Sequence, residues 1–203
     1  SLKKAEPTIP SLLVASPVPR PLFLVLDSAR VRDTWVLEGS VRKVTLTDFG
    51  VFVERDLRKA LSPYFSSVSV VKSNAELPTT PHVVGDVKVD QVRMNETMLG
   101  IALYMIFELT WSFALRLNEA DDYTFSYAGT GQSRETYSTF DDAFAQMNES
   151  AISTMLKRLV EGDALSHLRA APSYPNDAPN APGAGDGSAS LRPTRDERLV
   201  VAR

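Results

Sequence analysis

Two histidines, His82 and His167, and two adjacent carboxylate pairs, Asp121-Asp122 and Asp141-Asp142, are the side chains best suited to acid–base or metal chemistry in this chain. Neither histidine belongs to an HExxH or comparable ligand pattern. His82 stands where a loop enters a strand and reads as a surface or edge residue. Asp121-Asp122, within LNEADDYT, suits a turn between two strands. Asp141-Asp142 suits the first turn of a helix, where negative charge complements the helix dipole. Asp48-Phe49-Gly50 spells DFG, but no HRD or glycine-rich loop accompanies it and the chain is too short for a kinase. Gly129-Thr130-Gly131 opens a GxGxxG pattern whose third glycine is replaced by Arg134, so it reads as a turn or a sheet-edge bulge. Asn95-Glu96-Thr97 and Asn148-Glu149-Ser150 match the glycosylation acceptor pattern, which matters only in a secreted eukaryotic chain. The absence of cysteine excludes a thiolate nucleophile, thiolate metal sites and disulfides. No nucleophile–base pair or metal set can be assembled, and the expectation is a non-enzymatic protein without cofactor or metal.

The surrounding composition points the same way. With 203 residues the chain can build one domain with a substantial core. Twenty-two basic against 25 acidic residues leave a net charge of −3. No block of like charge is long enough to track a phosphate backbone, so nucleic acid is not expected as a partner. The first residues, SLKKAEPTIP, carry neither an initiator methionine nor an apolar signal core, as expected of a mature or trimmed fragment. Cleavage at a lipid-bearing cysteine would leave such a start, and so would an arbitrary fragment boundary.

Pro7, Pro10, Pro17, Pro19 and Pro21 predict an extended tether over residues 1–21. At the other end, PSYPNDAPNAPGAGDGSAS cannot bury enough apolar area to offset its ordering entropy, which predicts a disordered tail over 169–203. A core of residues 22–168 lies between. LFLVL (22–26) reads as a strand buried on both faces. WVLEGSVRKVTL (35–46) reads as extended, with a turn near Gly39 and Ser40. Val53, Leu57, Leu61 and Phe65 recur at helical spacing after Thr47 or Asp48 as a cap, predicting a helix over 48–62 that Pro63 ends. SVSVV (67–71), HVVGDVKVDQVRM (82–94) and YTFSYAGTG (123–131) read as strands. Phe144, Met147, Ala151, Met155 and Leu159 form a stripe on a helix over 139–161, with Thr139 and Asp142 as a capping box and Gly162 as its stop. Strands grouped between two helices predict an α+β domain with a mostly antiparallel sheet packed against both.

The most apolar stretch, MLGIALYMIFELTWSFALRLN (98–118), has only ten residues before Glu108 and carries Arg116 near its end, too short and too charged for a membrane helix. From Leu103 to Leu117 every odd position is apolar, while the even ones from Glu108 are polar or small. That period of two predicts a long strand with one buried face. From Met98 to Ile106 both faces are apolar, so either another element covers them or they meet a lipid, a partner protein or a second copy of the chain. Met98, Leu99, Ile101, Leu103, Tyr104 and Ile106 are therefore the candidate contact residues, with Gly100 as the bend.

The series FLVL, VERDLRKALSPYF, SVSVV, HVVGDVKVDQV, YMIFELTWSFALRL and DDAFAQMNESAISTMLKRLV resembles the small α+β domains of bacterial envelope lipoproteins. The group includes the lipopolysaccharide-assembly lipoprotein, the amino-terminal domain of TolB and the periplasmic domain of the curli secretion channel. The resemblance covers about residues 22–160. It implies a periplasmic domain tethered to the outer membrane by a lipid anchor upstream of Ser1, serving as accessory or scaffold subunit of an envelope transport or assembly complex. Sheltering an acyl chain of a lipid or lipopolysaccharide between sheet and helices, against Met105, Phe107, Trp111 and Phe113, is the alternative.

Overall fold

The computed structural model describes residues 16–99, 102–118, 124–133 and 140–170. Residues 1–15 and 171–203, which hold most of the expected tether and tail, lie outside them, as do Asp121-Asp122 and Thr139.

The expected α+β architecture is present. A five-stranded sheet has the order β4-β1-β5-β6-β7, built from β1 (Val18–Val25), β4 (Phe65–Val71), β5 (Val83–Leu99), β6 (Ala102–Leu117) and β7 (Thr124–Gln132). A separate hairpin joins β2 (Trp35–Glu38) to β3 (Lys43–Leu46). The helices are α1 (Phe49–Leu61), α2 (Phe140–Glu161) and a short α3 (Ala164–Ala170) that periodicity did not reveal. The sheet is mixed: β1 runs parallel to both β4 and β5, whereas β5–β6 and β6–β7 are antiparallel. An all-hairpin order would have placed β4 beside β5. Instead β1 inserts between them, its backbone paired on both edges. Leu22 and Leu24 enter the main core, while Val25 joins Val71 and Val84 in a smaller cluster on the opposite face. β1 also starts at Val18, inside the segment expected as tether. Its prolines are tolerated because pairing with β5 begins only at Leu22 and the ladder with β4 is irregular between Val18 and Pro21.

Helix α1 shows how the loop before it sets a helix start. Asp48 occupies the N-cap position in the left-handed region (φ 61°) and its side chain makes no capping hydrogen bond. The orphan amides go to Asp33: Gly50 N–H donates to its Oδ1 (3.2 Å) and Phe49 N–H to its carbonyl (3.0 Å). The cap is thus supplied by a loop residue far upstream, not by Thr47 or Asp48.

The long hairpin β5–β6 organises the rest. Its ladder runs from Val83 opposite Leu117 to Leu99 opposite Ala102. A bulge between Val89 and Gln91 shifts the register by one residue. Before it the odd residues Val83, Val87 and Val89 are buried, and after it the even residues Val92 and Met94 are. The extra residue, Asp90, therefore keeps the apolar side of β5 on the core as its sequence parity changes. On β6, Phe107, Leu109, Trp111, Phe113, Leu115 and Leu117 are buried as their alternation predicts. No helix among the described residues is long and apolar enough to cross a membrane.

Candidate partner-binding surface

The hairpin outruns its neighbours. β1 pairs with β5 only as far as Asp86, and β7 pairs with β6 only over Glu108–Arg116. Beyond Phe107, whose N–H donates to Ser133 Oγ (2.9 Å), β5 and β6 continue as a two-stranded ribbon. Met98, Leu99, Leu103, Tyr104 and Ile106, five of the candidate contact residues, lie on this ribbon. Met98 is 60% exposed. Tyr104 and Ile106 are half-buried. Leu99 and Leu103 hold register positions opposite Ala102 and Met98, and Ile101 falls outside the described residues. The ladder divides the ribbon's faces. Glu96 and Met98 continue the core-facing row of Met94, whereas Tyr104 and Ile106 sit opposite Thr97 and Asn95 on the other side.

One side of the ribbon is buttressed by a segment whose role sequence reading missed. The Glu96 carboxylate accepts hydrogen bonds from Val41 N–H (2.7 Å) and Ser40 Oγ (3.1 Å), docking the turn of β2–β3 onto the ribbon. Gly39 lets the turn approach this closely, since a Cβ there would push the Glu96 carboxylate aside. Val41, 59% exposed, is thereby held beside Glu96 on the Met98 side of the ribbon. Val41 and Met98, exposed apolar side chains from separate hairpins, thus lie on one side of the ribbon, a placement that neither segment announces alone. Glu96→Ala should release the turn: exchange of the Val41 amide should quicken about tenfold, as expected for losing a charge-assisted hydrogen bond. Unchanged exchange at Val41 would remove Glu96 from this role.

The residues suited to chemistry are placed differently from a reactive site. His82 is 1% exposed and precedes an interior strand, a correction to its reading as a surface or edge residue. Its Nδ1 lies 2.7 Å from the Thr80 carbonyl, its ring packs edge-on against Phe23, and its backbone N–H donates to Asn118 Oδ1 (2.8 Å). His82 thus fastens the start of β5 to the end of β6. Asp141 and Asp142 lie in the first turn of α2, as expected. Gly129 and Gly131 lie within the regular strand β7 rather than in a turn or bulge. A Cβ on Gly131 would press on the α2 backbone, 2.6 Å from Ala151 N, so the glycine permits close approach of strand and helix.

Among the described residues the one buried carboxylate is Asp56 of α1, 0% exposed. It accepts hydrogen bonds from Asn148 Nδ2 (2.6 Å) and from Arg55 Nε (2.8 Å). Burial pushes its carboxyl above the ordinary value, against the lowering effect of both hydrogen bonds. Asn148, 2% exposed and engaged with Asp56, is sequestered from modification at its NES pattern. This pair ties α1 to α2. Among the described residues no group of three His, Cys, Asp or Glu side chains is arranged to hold a metal.

The side chains named for an acyl-chain site pack on one another and on the helix. Phe107 lies 4.3 Å from Phe144 between ring centroids, and Trp111 lies 6.1 Å from Phe113 and 5.9 Å from Tyr127. These rings occupy the space between sheet and α2.

No protein-family model and no curated protein sequence matches the chain. Among solved structures, it is similar to a Xanthomonas campestris protein assigned to the DUF330 family, at 11% identity and a TM-score of 0.52, over 76% of this chain and 93% of that one. It also aligns with a neuraminyllactose-binding hemagglutinin homolog of Helicobacter pylori at 13% identity and a TM-score of 0.39, over 78% of this chain and 97% of that one. A third alignment, to a minor lipoprotein of Acinetobacter baumannii, has 14% identity and a TM-score of 0.36, over 74% of this chain and 95% of that one. The first of these shows a shared fold.

Proposed function

We propose that this chain is a non-enzymatic accessory or scaffold subunit of a bacterial cell-envelope transport or assembly complex. In this reading it resides in the periplasm, is tethered to the outer membrane by a lipid upstream of Ser1, and engages its partner through the β5–β6 ribbon. The observation that carries the reading is the ribbon itself: a two-stranded extension past the sheet, with Met98 exposed and Val41 held beside it by Glu96. An isolated hairpin is marginally stable in water, and exposing aliphatic side chains on one adds no stability, so the feature is better suited to contact than to folding. The envelope location is supported by the resemblance of the strand and helix series to envelope lipoprotein domains. The acyl-carrier alternative is weakened by the aromatic packing of Phe107, Trp111 and Phe113.

A photo-crosslinking residue placed at Met98 in cells producing the full chain tests the contact, with the exposed Lys157 of α2 as the control position. A discrete protein adduct from position 98 and none from 157 is expected after envelope solubilisation. Recovery of the protein alone, or equal adducts from both positions, would remove the scaffold role. Metabolic labelling with a palmitate analogue tests the tether separately. An unlabelled chain recovered in the cytosol would sink the envelope location whatever position 98 captures.

A further inference from the structure

The geometry points to a second interface, a symmetric dimer of this chain formed by antiparallel pairing of β7 with β7 of a second copy. β7 ends the sheet, and among the described residues no strand lies beyond it. Ser133 N–H donates inward to the Phe107 carbonyl (2.9 Å), so the odd residues of β7 turn their backbone groups toward β6. By the alternation of an antiparallel ladder, Thr124, Ser126, Ala128, Thr130 and Gln132 turn their N–H and C=O groups outward. Exposed edges are ordinarily blunted by charge or proline. β7, TFSYAGTGQ, has neither. The opposite edge, β4, ends beside an ion-paired group in which Glu54 lies 3.5 Å from Lys72 and 4.0 Å from Arg58.

A second copy fits this edge in one self-consistent register. With Ala128 opposite Ala128 of the other copy, Ser126 faces Thr130 and Thr124 faces Gln132, all exposed small or uncharged side chains that pair across strands without clash or repulsion. The rows continue into β6. Arg116 pairs with Thr124, and Glu108 pairs with Gln132. In the dimer each end of the new ladder therefore carries Arg116 of one copy and Glu108 of the other in one row, three strand spacings or about 14 Å apart. The signs are opposite at both ends, so no like charges share a row across the dyad. Beneath the edge, the flank of α2 lines an open groove with Gln146, Glu149, Ser150, Ser153 and Thr154.

Sedimentation of the full chain tests this directly. The expected species has twice the 22.3 kDa chain mass. Ala128→Glu, at an exposed outward position, should give the single-chain mass with an unchanged far-UV spectrum, and Ala128→Lys likewise. Mixing the two variants should restore the double mass, because unlike charges then meet at the dyad. A wild-type chain that stays single at high micromolar concentration would overturn the dimer and leave the edge to a strand of another protein. So would a dimer that survives Ala128→Glu, or variants that fail to associate with each other. Amide exchange provides a readout independent of any variant. Ser126, Ala128 and Thr130 should exchange at least tenfold more slowly at high protein concentration than at low, and concentration-independent exchange would equally overturn the pairing.

Discussion

Replacing Asn148 by Asp should destabilise the protein by about 3 kcal/mol or more at neutral pH, on the scale of an uncompensated buried charge. Asn148 Nδ2 donates to Asp56 Oδ2 across 2.6 Å in the α1–α2 interface, with both residues almost wholly buried. The substitution turns the donor into a second acceptor and brings two carboxylates together. Both cannot ionise at that separation, so the folded state must hold a proton that the unfolded chain releases. The sign of the pH dependence follows. Asp56 is already pushed above its ordinary value of 3.8 by burial. A group raised on folding contributes stability that is fully present below its unfolded pKa and is lost as pH rises through its folded pKa. In Asn148→Asp the pair is raised further, so its deficit relative to wild type should be small near pH 3.5 and grow toward neutrality. Paired urea titrations across that range measure it. A deficit that does not vary with pH, or none at pH 7, would show that the interface is not held as described.

That contact was invisible in the sequence, and the reason is physical. In VFVERDLRKAL the spacing places Asp56 on the apolar stripe, three residues after Val53 and four before Ala60, but does not say what would satisfy a carboxylate there. Asp56 is buried because α2 crosses at that point, and Asn148 arrives from far along the chain. Local periodicity reports which face is apolar, not what a second helix brings to it. The same limit applies to the sheet. The alternation from Phe107 to Leu117 identified β6 and its buried face because a half-covered strand writes its environment into its own residues. Nothing comparable says that β1 lies between β4 and β5, since strand order depends on which apolar faces remain to be covered once the elements meet. The bulge at Asp90 is legible only in retrospect, as the point where apolar parity changes from Val89 to Val92. For the candidate surface, the ribbon's apolar residues could be named in advance. Val41 could not, because its position depends on Glu96 reaching from a different hairpin.

Phe107→Ala and Met98→Ala, on the same hairpin, should differ by several kcal/mol, and the difference locates the boundary between core and contact surface. Phe107 is fully buried, packed 4.3 Å from Phe144 and edge-on to Phe140 at 6.0 Å between centroids. Its truncation opens a cavity where strand and helix meet, costing about 3–5 kcal/mol. For a domain of this size that lowers the melting temperature by on the order of 10 °C. Met98 lies further along the same side of the ribbon but past the last element of the sheet, so its truncation should fall within about 0.5 kcal/mol of wild type. Denaturant unfolding of the two variants reads this contrast, and the photo-crosslinking assay, with its probe moved to Val41, reads the other half of it. Met98→Ala should diminish partner capture while leaving stability intact, which no core residue can do. If Met98→Ala instead costs as much as Phe107→Ala, the ribbon is packed along its whole length. Its exposed aliphatic side chains would then belong to the fold, and the proposed partner surface would lose its basis.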